Sequence, residues 1–469
     1  MGQIVSLAVI HCCCTSASSL CNSCFGTTAV GTTGRKRSVL LLSMAIAVAL
    51  WFQYSVGPSI VSQEGWIWKT YRMIPGSGKL VYNAWHESCA KYDQDSEENN
   101  GQALMEQCAG NAGVFRPTFL TTLYFLANAA ATYTVPALNR EAWPAKYALF
   151  FFGLAITMFI PNNPIFSGFY LWLARLGAGV FVVMQQIILI DVAYNWNDSW
   201  VEKANEADRL SYGSGTGWLH AIVGVCVGLY CSCAVWIGLL YTHFADCPGN
   251  TWVITLTLLA IIGLTVLQLA GTEGSLLTSS VISLYAVYLC FSIVSKNPRG
   301  ECNPRLGKND VWGITIGLLL TTISLAWTGW SWSAEARLNV DAVQSAKSVQ
   351  PTGGTSSESA GINLDVPLLD GEEAGTSGLV SSSAGEGAES ASLAHVWKLN
   401  IIMALISCYV AMILTSWGTV DGLDENHNAA NPTIGRWNMA ILGLSQWLAI
   451  GLYAWTLIAP RLFPDRDFS

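Results

Sequence analysis

The sequence predicts an all-α, polytopic membrane protein with about ten transmembrane helices. Three observations predict it. Hydrophobic residues make up 52% of the chain and charged residues only 12%, and mean hydropathy is +0.40, outside the range of soluble domains. Apolar runs of roughly twenty residues recur along the chain, each long enough to cross a hydrocarbon core ~30 Å thick. The runs also lack the alternation of barrel strands, so helices must satisfy the backbone within lipid. The net charge of −8 sits largely in one hydrophilic linker and does not point to nucleic acid.

Residues 1–37 form a Cys-rich N-terminal segment open to three readings. Met1-Gly2 with Ser6 fits a myristoylation pattern, and Cys12, Cys13 and Cys14 suit palmitoylation. A signal peptide would need a basic n-region that is missing here. The preferred reading docks residues 4–14 in the bundle as a short structural segment. No CxxC…CxxC pattern is present, and no metal or other cofactor is expected.

The membrane region of spans one to eight covers 38–333. Arg35-Lys36-Arg37 precede span one, 38–59, which argues for a cytosolic N-terminus. Residues 60–113 read as a polar outer loop. Spans two and three are 116–136 and 146–160, and Pro161-Asn162-Asn163-Pro164 turns the chain into span four.

Span four, 165–203, organises the rest. Its first thirty residues are almost all apolar, about 45 Å of helix at ~1.5 Å per residue, so it must tilt strongly, break, or push its polar end out of the membrane. It also carries Arg175, Gln185, Gln186, Asp191 and Asn195, which are costly against lipid. At ~100° per residue, Gln186 falls within ~20° of Arg175 while Asp191 falls ~160° away. Polar groups on opposite faces suggest a tilted crossing helix with protein or a wet cavity on both sides. An ordinary tilted span with a snorkelling Asp191 is the alternative.

Spans five to eight are 218–244, 252–270, 275–295 and 311–332. Glu273 sits at the tip of the hairpin between six and seven. Residues 334–395 are rich in Gly, Ser, Ala and Glu, net negative and without aromatics, so they read as a disordered cytosolic linker. Residues 396–459 carry spans nine and ten, and 460–469 are a tail. This topology puts Cys89, Cys108, Cys247 and Cys302 in outer loops, where oxidation is expected. The expected bonds are Cys89–Cys108 and Cys247–Cys302, one of three connectivities that four cysteines allow.

The strings FIPNNPIFSGFYLWLARLGA, QQIILIDVAYNWNDSWVEKA, DRLSYGSG, GTEGSLLTSSVISLYAVYLCFSIVSKNP, CNPRLG and WTGWSWSAE resemble signatures of the serine incorporators, the SERINC or TDE/TMS membrane proteins. The resemblance runs from the first span to the last and leaves out the linker. It implies ten helices in two subdomains around a long crossing helix. It also implies a role in supplying serine to phosphatidylserine and sphingolipid synthesis, and a likeness to phospholipid scramblases that need no ATP. It supplies no catalytic residues.

Arg175, Gln185, Gln186, Asp191 and Asn195 are the candidates for a polar track along which headgroups cross the membrane. The competing reading gives them partners on other helices. Glu273, Thr272, Ser275 and Ser279 are candidates for a headgroup or serine site. Capping of span seven by Glu273 and hydroxyl bonds to the helix's own backbone are the preferred reading. Asp365 with Leu368 and Leu369 fits an acidic-dileucine sorting signal that would engage trafficking adaptors. Asn197 heads a glycosylation sequon that this topology places inside, so no sugar is expected there. Trp218, Trp252, Trp312, Trp327, Trp330, Trp332, Trp417 and Trp437 read as an interfacial belt. No nucleotide, zinc-protease or serine-hydrolase motif is present, so the chain reads as a lipid carrier rather than an enzyme. Expected partners are phospholipids, with sterol or sphingolipid and a homo-oligomer left open. The alternative function is secondary transport of serine or a similar small polar solute, which normally uses broken helices; no such pair is evident. The plasma membrane or an endomembrane is the expected location.

Overall fold

The structure is a computed structural model that describes residues 33–63, 65–87, 89, 101–139, 142–271, 275–304, 313–327, 396–418 and 432–462. Cys12, Cys13, Cys14, Thr272, Glu273, Trp312, Trp330, Trp332 and the linker with Asp365, Leu368 and Leu369 lie outside the described residues. The described residues are helical, with no strand among them. In order they are α1 (Thr33–Trp51), α2 (Gly57–Val61), α3 (Gly65–Met73), α4 (Ser77–His86), α5 (Gly101–Thr134), α6 (Trp143–Thr157) and α7 (Leu171–Leu210). Then come α8 (Thr216–Phe244), α9 (Pro248–Leu269), α10 (Leu276–Val294), α11 (Gly313–Trp327), α12 (Val396–Leu414) and α13 (Pro432–Leu462). Among the described residues, seven helices are long and apolar enough to cross a membrane. The fold is therefore all-α and polytopic.

Two helices change pitch near a proline. A π-turn, Phe52–Val56, joins α1 to α2 into one rod, Lys36–Val61. It lies just before Pro58, which has no N–H for the ladder and whose ring crowds the preceding turn. A second π-turn, Ile165–Tyr170, follows Pro164 and leads into α7.

α7 is the shared wall of two bundles. Helices α1, α2, α5, α6 and α12 pack together on one side, and α8, α9, α10 and α13 on the other. α7 touches α12 in the first group and α8, α10 and α13 in the second. Lipid tails are as apolar as leucine, so close packing rather than water exclusion holds such helices together. Gly177 and Gly179 provide it on nearly opposite faces, ~200° apart. A Cβ on Gly177 would stand 2.9 Å from the Cys408 sulfur of α12, and one on Gly179 would stand 2.8 Å from Cγ2 of Ile441 on α13. The first bundle uses the same device where Gly57 meets α5: a Cβ there would stand 2.5 Å from the Ala109 carbonyl oxygen.

Several expectations are corrected. The stretch read as an outer loop, 60–113, contains α3, α4 and the first turns of α5. Its many polar residues hide a helical spacing, for Val81, Ala84 and Trp85 are all buried and fall on one face. α5 begins at Gly101, not near Arg116, and Arg116 is fully buried rather than at a membrane boundary. α7 continues past Lys203 to Leu210. No proline or glycine follows Gly179 before Gly213, whose φ of 87° comes after the end of α7. Trp417 is buried, unlike belt members Trp218, Trp252 and Trp437. It sits in a left-handed turn after α12, and Asn438 donates to its carbonyl at 2.9 Å.

Candidate functional site

The five polar residues singled out on α7 separate into a buried set and an exposed pair. Arg175, Gln185 and Gln186 are buried; Asp191 and Asn195, on later turns, are exposed. Arg175 stacks its guanidinium over the Trp172 ring at 5.1 Å, and Trp172 meets Trp437 of α13 edge-on. The Asp191 side of α7 is thus accessible, and α11 reaches it through Trp327.

At this flank the geometry is compact. Trp327, the last residue of α11, donates its indole N–H to Asp191 Oδ2 at 2.6 Å. Asn195, one turn on, donates to Asp191 Oδ1 at 3.0 Å and to the Asp191 carbonyl at 2.8 Å. Both partners are neutral donors, so they fix the carboxylate's position without cancelling its charge. Trp327 was legible as an interfacial indole; its bond to Asp191 was not, because nothing in the sequence sets the two residues side by side.

The buried amides meet other helices. Tyr285 of α10 donates its hydroxyl to the Val182 carbonyl at 2.9 Å and toward Gln185 Oε1 at 3.3 Å. Gln446 of α13, which sequence reading passed over, donates to Thr257 of α9 at 3.1 Å and to the Ala286 carbonyl at 3.0 Å. Ser279 lies 2.7 Å from the Tyr453 hydroxyl and donates to Gln268 at 3.3 Å. Ser275, at the position before α10, makes no capping bond, whereas Ser280 and Ser283 bond back to their own helix. Asn197 lies within α7, its amide 3.4 Å from Asp198.

Two disulfides stand at the expected pairs. Cys89 is bonded to Cys108 and Cys247 to Cys302. Beside the second, Asn250 is buried and donates to the Phe244 and Cys302 carbonyls, and it accepts from Asn297.

The model of the family described as Serine incorporator (Serinc) matches residues 10–466. The chain belongs to the serine incorporator family. A probable serine incorporator of Nematostella vectensis is 29% identical over 396 residues, 78% of this chain and 82% of the relative. Serine incorporator 3 of Bos taurus is 25% identical over 399 residues, 76% of this chain and 80% of its own. Serine incorporator 2 of Homo sapiens is 25% identical over 363 residues, 71% and 72%. This serine incorporator family member is a multipass integral membrane protein, and the long helix that its relatives' family resemblance implied is α7.

Proposed function

We propose that the protein moves phospholipids passively between leaflets and so supports serine incorporation into phosphatidylserine and sphingolipids. The observation that carries this reading is Asp191: a carboxylate on the open flank of the helix shared by both bundles, held by two neutral donors. A headgroup crossing a membrane must exchange its hydration for fixed polar groups while its tails stay in lipid. The amino or quaternary ammonium of phosphatidylserine, phosphatidylethanolamine and phosphatidylcholine would meet Asp191 there, with Asn195 and Trp327 beside it. Arg175, Gln185 and Gln186 are screened from lipid and form no part of this path.

The test uses purified protein in liposomes with fluorescent phosphatidylserine or phosphatidylcholine in both leaflets. Dithionite then quenches what reaches the outside, with no ATP present. Quenching beyond the outer half is expected. Asp191→Asn keeps the size, removes the charge and leaves one acceptor oxygen for the two N–H donors; a partly exposed ion pair is worth up to ~1 kcal/mol, so the rate should fall about fivefold or more. An unchanged rate in folded Asp191→Asn would remove Asp191 from the path. Quenching that stops at half in folded wild type would overturn the lipid reading and turn attention to uptake of radiolabelled serine.

A further inference from the structure

The amides on the buried side of α7 are not fully satisfied. Ser445 of α13 donates to the Gly179 carbonyl at 3.1 Å, which marks where α7 and α13 cross. Gln186 comes seven residues, about two turns, later and so lies on the same face. Gln185 beside it meets α10 through Tyr285, and Gln446 binds Ala286, the next residue of α10. Gln185, Gln186 and Gln446 are each at most 1% exposed. Yet Nε2 of Gln185, Nε2 of Gln186 and Oε1 of Gln446 have no hydrogen-bond partner. Flipping an amide changes which of its atoms is bare but supplies no new partner. Each such atom is destabilising if dry, and lipid tails cannot relieve it.

The polar row continues along α10. Ser279 and Tyr453 follow, then the hydroxyls of Thr278 and Ser275, which are also buried without a partner. From Ala286 to Ser275 the row spans about 16 Å and ends at Ser275, the residue before α10. The row holds donors and acceptors but no charged side chain. A carboxylate or ammonium guest would bring an uncompensated charge into it, whereas a neutral molecule able both to donate and to accept fits each bare atom.

We propose that the junction of α7, α10 and α13 is an internal hydration site, in which water enters at Ser275 and ends at the amides of Gln185, Gln186 and Gln446.

The test is X-ray radiolytic footprinting of the full-length protein in lipid nanodiscs, read by mass spectrometry. Radicals formed from bound water oxidise the side chains beside it, however buried. Tyr285 and Tyr453 should be oxidised on the order of tenfold faster than Tyr170, an equally buried tyrosine in the other bundle, since bound water sits at polar sites and not in close-packed ones. Oxidation of Tyr285 and Tyr453 at the Tyr170 rate would overturn the proposal. In Gln185→Leu/Gln186→Leu the Tyr285 rate should fall to that of Tyr170. A persistent fast rate in the folded variant would overturn the assignment of water to these amides. The wild-type measurement decides the question even where the variant fails to fold.

Discussion

Replacing Arg116 tests how this protein keeps a cation buried against carbonyls and aromatic rings. The guanidinium lies 3.8 Å over the Trp85 ring and 5.1 Å from that of Phe166. Its N–H groups donate to the carbonyls of Thr157 at 3.1 Å, Ile160 at 3.1 Å and Ala112 at 2.9 Å. Thr157 and Ile160 lie at and just beyond the end of α6, where carbonyls run short of helical partners and the helix dipole presents partial negative charge; the Thr157 carbonyl also accepts the Ile160 N–H at 3.3 Å. Arg116 therefore acts as a cap on α6 delivered from α5. In Arg116→Met, the Ile160 carbonyl loses its donor at ~1–3 kcal/mol, while the Thr157 carbonyl keeps the Ile160 N–H. The stacking on Trp85 is worth about 2 kcal/mol more when desolvated. Removal of the desolvation cost of the cation offsets part of this, leaving a net loss of about 2–4 kcal/mol. The assay is the thermal midpoint in detergent, read by the loss of the monodisperse size-exclusion peak. A fall on the order of 4–8 °C is expected. Arg116→Lys keeps the charge but not the planar fork and should fall between wild type and Met. A Met variant that melts with wild type would refute the capping argument, and a Lys variant that does so would show that charge alone suffices.

Gly179→Leu must displace Ile441, and Gly177→Leu must displace Cys408; each should cost about 1–3 kcal/mol, read by the same midpoint, with the double variant worse than either. Cys302→Ser opens a loop of 55 residues, for which chain entropy gives about 4 kcal/mol, and its midpoint should then become insensitive to reductant at that site while non-reducing peptide maps retain only the Cys89–Cys108 product. Trp327→Phe removes the 2.6 Å bond to Asp191 without a large change in volume, and should leave the midpoint within about 1 kcal/mol while lowering lipid flip. Asn128 joins α5 to Asn139 and to Asn400 of α12 at 3.0 and 2.9 Å, so Asn128→Leu should destabilise by ~0.6–1.7 kcal/mol.

The fold was legible because lipid leaves the backbone few choices. Length and apolarity alone mark α8, α9, α10 and α12, and the long run after Pro164 marks α7. Amphipathic helices were harder. α3 and α4 are short and polar on one face, so hydropathy reads them as loop, while burial of Trp85 depends on Phe52 and Arg116 from distant stretches. At the candidate site, helical periodicity separated Asp191 from Arg175 and Gln186 correctly but could not say which face met protein. That is set by where Gly177 and Gly179 admit α12 and α13, and a glycine within an apolar run looks the same whether it faces a helix or lipid. Gln446 escaped notice for a related reason: one amide in an apolar helix carries no pattern, and it becomes informative only when Thr257 and Ala286 stand opposite.

The unbroken length of α7 has a mechanical consequence. The helical run Ile165–Leu210 is 46 residues long, about 69 Å at ~1.5 Å per residue, more than twice the ~30 Å of hydrocarbon. Between Gly179 and Gly213 it contains neither glycine nor proline, so it has no hinge at which to absorb torsion. Twist or tilt applied near Leu210 is carried along this rod to Asp191, and onward to the crossing with α13. A rod of this kind works as a driveshaft: what grips its protruding end sets the angle at which the carboxylate meets the indole of Trp327.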